Sequence, residues 1–187
     1  NIVNLIASIS NDDVLHACHD DVCMSLLKYS FDASGIDIYT SLLFGASLLL
    51  VKKEDELNPE KVLHLIEHYH VTRSFLIPKW IEQIAYQDKS GSFDLSSLRI
   101  LGSGGESLKP YLVQNLLKKY PDLKILNLYG PTETTMFTTC KLVSLDDAKS
   151  NFITIGRPIF GSRLAVVNSD LEFLPPNTEG ELIVYED

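Results

Sequence analysis

The feature that most constrains the fold is the alternation of short apolar runs with stretches of helical periodicity up to Tyr129. Asn58-Pro59 and Pro78 each begin a helical stretch, because proline favours the first helical position. The strand-like runs between the helical stretches are "VCMSLLKYSF", "SLLLV", "RSFLI", "LRILGS" and "LKILNLY". Such repeated βα units predict an α/β fold, in which a parallel sheet is flanked by helices on both faces.

Two further helices are predicted between these runs. Asp32 and Ser34 are suitable N-caps for a helix that ends at Gly45, and "LKPYLVQNLLKKY" predicts a helix closed by Pro121. After residue 145 the pattern changes to short strands separated by turns. We therefore predict a βα-repeat subdomain over residues 1–145 and the start of a β-rich subdomain, a C-terminal appendage, over residues 146–187.

Composition narrows the classes of partner. Sixteen basic and 25 acidic residues give a net charge of −9, and no run of Lys or Arg exceeds two residues, so a nucleic-acid partner is not expected. No apolar stretch reaches the roughly 20 residues that a membrane span needs. Three cysteines are an odd number in a chain of this size, which favours reduced thiols and a cytoplasmic location.

Histidines and cysteines near the N-terminus could be metal ligands, but their spacing does not match a known zinc site. His16, Cys18, His19 and Cys23 include no paired Cys-x-x-Cys arrangement, and Cys23 falls in an apolar strand. We therefore do not expect a zinc site at these residues. The histidines around the helix that begins at Pro59 are interpreted as surface residues; they are His64, His68 and His70.

Three predicted strands end in loops of unusual composition: "SFDAS", "GSGGES" and "YGPTETT". Ligands of parallel sheets bind outside the carboxyl ends of the strands, so these loops are expected to converge at one edge. In the second loop, Gly102, Gly104 and Gly105 leave the backbone bare enough for a flat ring or a phosphate to approach. A simple turn explains the same glycines.

The third loop combines an aromatic ring, hydroxyls and one carboxylate. Tyr129 offers a stacking face, Thr132 a hydroxyl that could bind an anion, and Glu133 a hard oxygen ligand suited to Mg²⁺. A threonine-rich turn that caps a helix explains the same residues. Together, the second and third loops indicate a nucleotide site.

Four stretches, in this order and spacing, resemble the adenylation domains of nonribosomal peptide synthetases, which belong to the adenylate-forming superfamily. The stretches are "SFDASGIDIYTSLLFGASLLLV", "LRILGSGGESL", "LNLYGPTETT" and "IGRPI…GELIV". The resemblance implies an ATP-dependent ligase that converts an amino acid and ATP to an aminoacyl adenylate. The acyl group would then pass to the phosphopantetheine thiol of a peptidyl carrier domain within a larger synthetase.

The resemblance also assigns roles to individual residues. Thr132 would hold the α-phosphate and Glu133 the Mg²⁺, and these two are the candidate catalytic residues. Asn127 would hydrogen-bond the adenine amino group. The remaining candidate nucleotide-binding residues are Gly104, Gly105, Glu106 and Tyr129.

In the implied amino-acid pocket, Asp32 matches the aspartate that pairs with the substrate α-ammonium. The candidate substrate-binding residues around it are Ala33, Ile36, Phe75, Leu101, Ser103, Leu128, Gly130, Met136 and Phe137. Apart from Ser103 the wall is apolar, so a charged substrate side chain would be buried without a partner. We therefore expect a neutral substrate, preferably glycine, alanine or another short aliphatic amino acid.

Parts of the family pattern are missing from the 187 residues, which begin at Asn1 and stop within "GELIVYED". The phosphate loop is expected upstream, and the ribose-binding aspartate and the catalytic lysine downstream. We therefore expect a fragment of one adenylation domain that is inactive by itself. The alternatives are a related ligase, such as a D-alanine:carrier-protein ligase or an acyl-CoA synthetase, and a noncatalytic fragment. Asp32 argues against a fatty-acid substrate, which lacks an ammonium group.

Overall fold

The computed structural model describes residues 2–88 and 91–185, in which helices and strands alternate along most of the chain. The helices are α1 (Ile2–Ser10), α2 (Ser34–Phe44), α3 (Pro59–His68), α4 (Pro78–Gln87) and α5 (Pro110–Lys119). The strands are β1 (Val22–Ser25), β2 (Ser47–Leu50), β3 (Arg73–Leu76), β4 (Ile100–Ser103), β5 (Lys124–Tyr129), β6 (Thr139–Val143), β7 (Arg157–Pro158), β8 (Arg163–Val167) and β9 (Glu181–Tyr185). The predicted α/β fold is confirmed.

Seven strands form one mixed sheet in the order β2-β1-β3-β4-β5-β6-β7. The first five strands in the chain pair in parallel, whereas β6 is antiparallel to β5 and β7 is antiparallel to β6. Strands β8 and β9 form a separate antiparallel pair. The carboxyl ends of β1, β3, β4 and β5 therefore lie at one edge of the main sheet.

Local signals in the sequence account for several helix ends. The Asn58 side chain accepts hydrogen bonds from the backbone N–H groups of Glu60 (3.1 Å) and Lys61 (3.2 Å), which caps α3. Gly45 ends α2 in the left-handed conformation, with φ of 75°. The predicted side-chain cap of α2 is wrong, because Ala33 occupies the N-cap position and the Asp32 carboxylate instead accepts from the Ala33 N–H.

The sheet separates two hydrophobic cores. The α3–α5 core lies between helices α3, α4 and α5 and one face of the sheet. Its members include Val62, Leu63, Ile66, Ile81, Ile84, Leu101, Val113, Leu116 and Ile125. The α1–α2 core covers the other face with Leu5, Ile9, Leu15, Ile36, Phe75, Ile100, Leu126, Leu128 and Phe137. Residues alternate between the faces along each strand, as Ile125 and Leu126 of β5 show.

Helix α1 and strand β6 have no counterpart among the predicted elements. Strand β7 lies beyond the predicted boundary at residue 145 but still pairs with β6 in the main sheet. The division at residues 145 and 146 remains a prediction. None of the helices in the described ranges has the length and apolar character to cross a bilayer.

A buried ion-pair cluster joins the amino ends of β1, β3 and β4. The Arg73 guanidinium is fully buried, lies 3.7 Å from an Asp21 carboxylate oxygen, and donates to the carbonyl oxygen of His16 at 2.8 Å. Arg99 forms a second ion pair with Asp21. Burial by itself would raise the pKa of Asp21, but the Thr72 hydroxyl, the Cys18 N–H and the two guanidinium groups outweigh burial and lower it. Asp21 is therefore ionised in the folded protein.

Asp37 of α2 is a second buried carboxyl near this cluster. It is fully buried, and neither carboxyl oxygen has a hydrogen-bond partner of normal geometry among the described residues. Burial raises the pKa of Asp37 well above its ordinary value, although the Arg73 charge and the Phe75 N–H oppose the shift. The two carboxyls thus differ in charge: Asp21 is ionised and pairs with the Arg73 guanidinium, whereas burial favours the neutral form of Asp37.

We expect Asp21→Asn to lower the free energy of unfolding by about 3 kcal/mol, because it leaves a buried guanidinium without its counter-ion. The folded-state pKa of Asp21 lies below the unfolded value of about 3.9, so this contribution is present above that pH and is lost as the pH falls. Urea unfolding between pH 3 and pH 7 measures the effect. Asp20→Asn is the matched control, since that side chain is 79% exposed; equal effects of the two substitutions would contradict the assignment.

Candidate functional site

The candidate site lies at the edge where the carboxyl ends of β1, β3, β4 and β5 meet. The loop after β1 carries Asp32, the loop after β4 carries Gly104 and Gly105, and the loop after β5 carries Thr132 and Glu133. Because these strands are parallel, the loops leave the sheet on the same side. The predicted convergence of the three loops follows from this topology.

Five of the predicted wall residues are brought together. Four of them are buried side by side in the α1–α2 core, and Met136 packs against them; the four are Ile36, Phe75, Leu128 and Phe137. They come from helix α2, from strands β3 and β5, and from the loop before β6. One apolar wall is therefore assembled from four separate segments of the chain.

Asp32 and Ala33 lie in the turn that leads into this wall. The Asp32 Oδ1 atom accepts from the Ala33 N–H at 2.7 Å, and its backbone carbonyl accepts from the N–H of Gly35 at 2.9 Å. Both side chains are half-buried. The carboxylate thus accepts a hydrogen bond within its own turn, four residues before Ile36, and remains partly accessible.

Leu101 is not brought together with the other wall residues. Phe75 pairs with Gly102 across β3 and β4, so the residue before Gly102 must point to the opposite face of the sheet. The Leu101 side chain accordingly lies in the α3–α5 core. Ser103 ends β4; it is buried, and its hydroxyl has no hydrogen-bond partner within the described residues.

The glycine-rich loop after β4 approaches β5 closely. A Cβ at Gly104 would lie 2.9 Å from the Leu128 carbonyl oxygen, so a side chain at this position would press on the neighbouring strand. Gly105 has φ of 82°, a left-handed conformation that favours glycine. Glu106 is exposed. The close approach to β5 and the positive φ explain why glycine occurs at these two positions. Their contact with adenine remains a prediction.

The loop after β5 presents its polar groups to solvent. Tyr129 is 41% exposed, and Thr132 and Glu133 are exposed in a short 3-10 helix, Thr132–Thr134. Among the described residues, no ion pair occupies the Glu133 carboxylate. An accessible carboxylate beside a threonine hydroxyl is a donor set that fits Mg²⁺.

The same loop then takes an uncommon backbone path. Thr135 and Met136 both have positive φ, 69° and 66°, which non-glycine residues rarely adopt. A Cβ at Gly130 would lie 2.5 Å from the Phe137 Cα atom, so the loop folds back tightly on itself. This path brings Met136 and Phe137 to the wall.

Asn127 is buried in β5 between two residues of the α1–α2 core, so its side chain faces the other side of the sheet. Its Nδ2 group donates to the Thr154 carbonyl oxygen at 2.9 Å. Because the Nδ2 group is engaged in this hydrogen bond, the side-chain oxygen of Asn127 is left as an acceptor. An adenine amino group would be a suitable donor to that oxygen. The contact with adenine itself remains a prediction.

Two glycines support the wall but were not among the candidate site residues, although Gly102 was noted as part of the glycine-rich loop. A Cβ at Gly35 would lie 2.2 Å from the Met136 Cε atom, and a Cβ at Gly102 would lie 1.9 Å from the Phe75 ring. The available signal was their position, since glycine within a helix or a strand often marks a close approach. No group of three or more potential metal ligands that could hold an ion occurs in the described part of the chain.

Comparisons with known proteins identify the family of the chain. The family model described as AMP-binding enzyme matches residues 1–187. Tyrocidine synthase 3 of Brevibacillus parabrevis is 38% identical over 154 residues, which are 82% of this chain and 2% of that protein. Surfactin synthase subunit 2 of Bacillus subtilis (strain 168) is 32% identical over 189 residues, covering 98% of this chain and 5% of that protein.

Solved structures show the same fold. Holo-PA1221, a nonribosomal peptide synthetase protein containing adenylation and PCP domains, superposes with a TM-score of 0.85 at 26% identity. The match covers 96% of this chain and 32% of that chain. The synthetase FmoA3 gives a TM-score of 0.91 at 24% identity, over 99% of this chain and 20% of that one, and this second likeness concerns the fold alone.

The chain belongs to the AMP-binding enzyme family. Within that family it is homologous to the adenylation domains of nonribosomal peptide synthetases, as the sequence resemblance implies. It spans a small part of the curated relatives, 2% and 5% of the two described above.

Gly130→Ala is expected to destabilise the protein by about 1–3 kcal/mol, because the added methyl meets backbone atoms of Phe137 and Thr138 that cannot move aside independently. Thermal unfolding monitored by circular dichroism measures the loss. Ser107→Ala, an exposed position at the same edge of the sheet, is the control. An unchanged melting temperature for Gly130→Ala would show that the loop can open without cost.

Proposed function

We propose that the chain is part of an adenylation domain that activates a small or apolar amino acid with ATP and loads it on a carrier-protein thiol. The family supports the use of ATP, and the homologous structure that contains adenylation and PCP domains supports a carrier partner. The observation that carries the amino-acid assignment is the apolar wall of Ile36, Phe75, Leu128 and Phe137, which begins one helical turn after Asp32.

In this proposal each group at the edge has one task. The Asp32 carboxylate pairs with the substrate α-ammonium, and the wall accepts the substrate side chain. The amino-acid carboxylate then attacks the α-phosphorus of ATP, which forms the aminoacyl adenylate and releases pyrophosphate. Tyr129 stacks on the adenine ring, and the Thr132 hydroxyl donates to the α-phosphate.

Glu133 is the residue that would hold Mg²⁺, which when bound neutralises charge on the phosphates. Its exposure beside Thr132 leaves the carboxylate accessible from the edge where the nucleotide loops meet. The wall sets the substrate class. Its side chains offer no charged partner, so a charged substrate side chain would be disfavoured relative to a neutral one.

We expect Asp32→Ala, in the polypeptide that contains the whole domain, to lower kcat/KM for the amino acid by two to four orders of magnitude. This corresponds to the roughly 3–5 kcal/mol lost when one partner of a desolvated ion pair is removed. Amino-acid-dependent pyrophosphate exchange with a panel of amino and fatty acids measures it, and KM for ATP should hardly change. Asp122→Ala, an exposed residue before β5, is the control. Unchanged exchange by Asp32→Ala would reject the role of Asp32.

The 187 residues alone are expected to bind ATP with at most millimolar affinity and to form no adenylate. They span 32% of the similar PA1221 chain, and stacking on one aromatic ring supplies only about 1–3 kcal/mol of the roughly 8 kcal/mol that micromolar binding requires. Calorimetric titration with ATP and Mg²⁺, beside a pyrophosphate-exchange assay, tests this expectation. Micromolar binding or measurable exchange would contradict it.

A further inference from the structure

Helix α2 and the loop after β5 meet at one contact, between Gly35 and the Met136 side chain. Gly35 is the second residue of α2 and is buried, and a Cβ at this position would lie 2.2 Å from the Met136 Cε atom. The thioether therefore occupies the space that any side chain at position 35 would need. Because real Cβ atoms do not approach other atoms so closely, the methionine conformation depends on the glycine.

Both partners are locally unfavourable choices. Glycine within a helix is less stable than alanine, because it loses more backbone freedom on folding. Met136 holds a left-handed backbone, with φ of 66°, that glycine or asparagine would adopt more easily. Two unfavourable choices that meet at one contact in a candidate site indicate a functional constraint on that contact.

We propose that Gly35 is a specificity-determining residue: by leaving room for the Met136 side chain against α2, it sets how much space remains in the amino-acid pocket. This inference rests on the proposed function. Met136 packs against the α1–α2 core, whose members include Ile36, Phe75, Leu128 and Phe137. A side chain at position 35 would push the Met136 methyl off α2 and toward the space in front of that wall, where the substrate side chain would bind.

The displaced group is the flexible end of a methionine, so Gly35→Ala should fold. The other close neighbour is the ring edge of Tyr39, which would lie 3.0 Å from the new Cβ. That ring is 37% exposed and can turn toward solvent. The substitution should therefore act on the pocket more than on stability.

The test measures pyrophosphate exchange with glycine, alanine, valine and leucine, using the polypeptide that contains the whole domain. One methylene group in an apolar pocket changes selectivity by roughly 10- to 200-fold. Gly35→Ala is expected to lower the leucine-to-alanine ratio of kcat/KM by at least about tenfold, with KM for ATP unchanged. Met136→Ala should raise that ratio.

The double variant Gly35→Ala/Met136→Ala should behave like Met136→Ala, since no methyl remains for the new Cβ to displace. If Gly35→Ala misfolds because of this contact, removal of the Met136 side chain in the double variant should restore folding. Leu43→Ala, on the exposed side of α2, is the matched control and should leave all ratios unchanged.

An NMR measurement tests the contact between Gly35 and Met136 independently of substrate selectivity. The ¹³C-methyl resonance of Met136, assigned by its loss in Met136→Ala, should shift in Gly35→Ala, whereas that of Met24 in β1 should not. An unchanged resonance, an unchanged selectivity ratio, or an equal loss for all four amino acids would overturn the inference. Absence of exchange by the unaltered protein with every amino acid would instead reject the proposed function, and the inference with it.

Discussion

One buried guanidinium holds the amino end of the sheet together. Arg73 lies at the start of β3, contacts the carboxylate of Asp21 before β1, and donates to the His16 carbonyl in the connection from α1. Asp21 also pairs with Arg99 before β4. Three neighbouring strands and the connection from α1 thus share one charge cluster, in which the pKa of Asp21 is lowered by its partners and that of nearby Asp37 is raised by burial.

The charge cluster and the candidate site lie at opposite ends of the same strands. Parallel strands require this separation, since their amino ends meet at one edge and their carboxyl ends at the other. The cluster fixes the strands relative to one another, while the loops at the far edge carry polar side chains that make few internal contacts. Glu133 and Tyr129 can therefore stay exposed without weakening the sheet.

Patterns that depend on local sequence were predicted well, and those that depend on distant partners were not. Asn58-Pro59 and Gly45 mark helix ends through their own backbone chemistry, so the sequence sufficed to find them. The burial of Arg73 depends on carbonyl groups far away in the chain, and nothing near it in the sequence signals them. Leu101 matched the family motif, but strand pairing places it in the α3–α5 core. The antiparallel turn into β6 likewise depends on pairing with β5.

The left-handed backbone at Thr135 and Met136 limits which residues this loop can carry, because most side chains are strained at a positive φ. Gly130 leaves room for the loop to fold against Phe137, and the Met136 side chain packs against the α1–α2 core. Exchange of Met136 would therefore change both the backbone strain of the loop and the packing of that core. Glycine or asparagine would suit this backbone best, whereas an unbranched side chain of similar volume suits the core, so few residues meet both requirements at position 136.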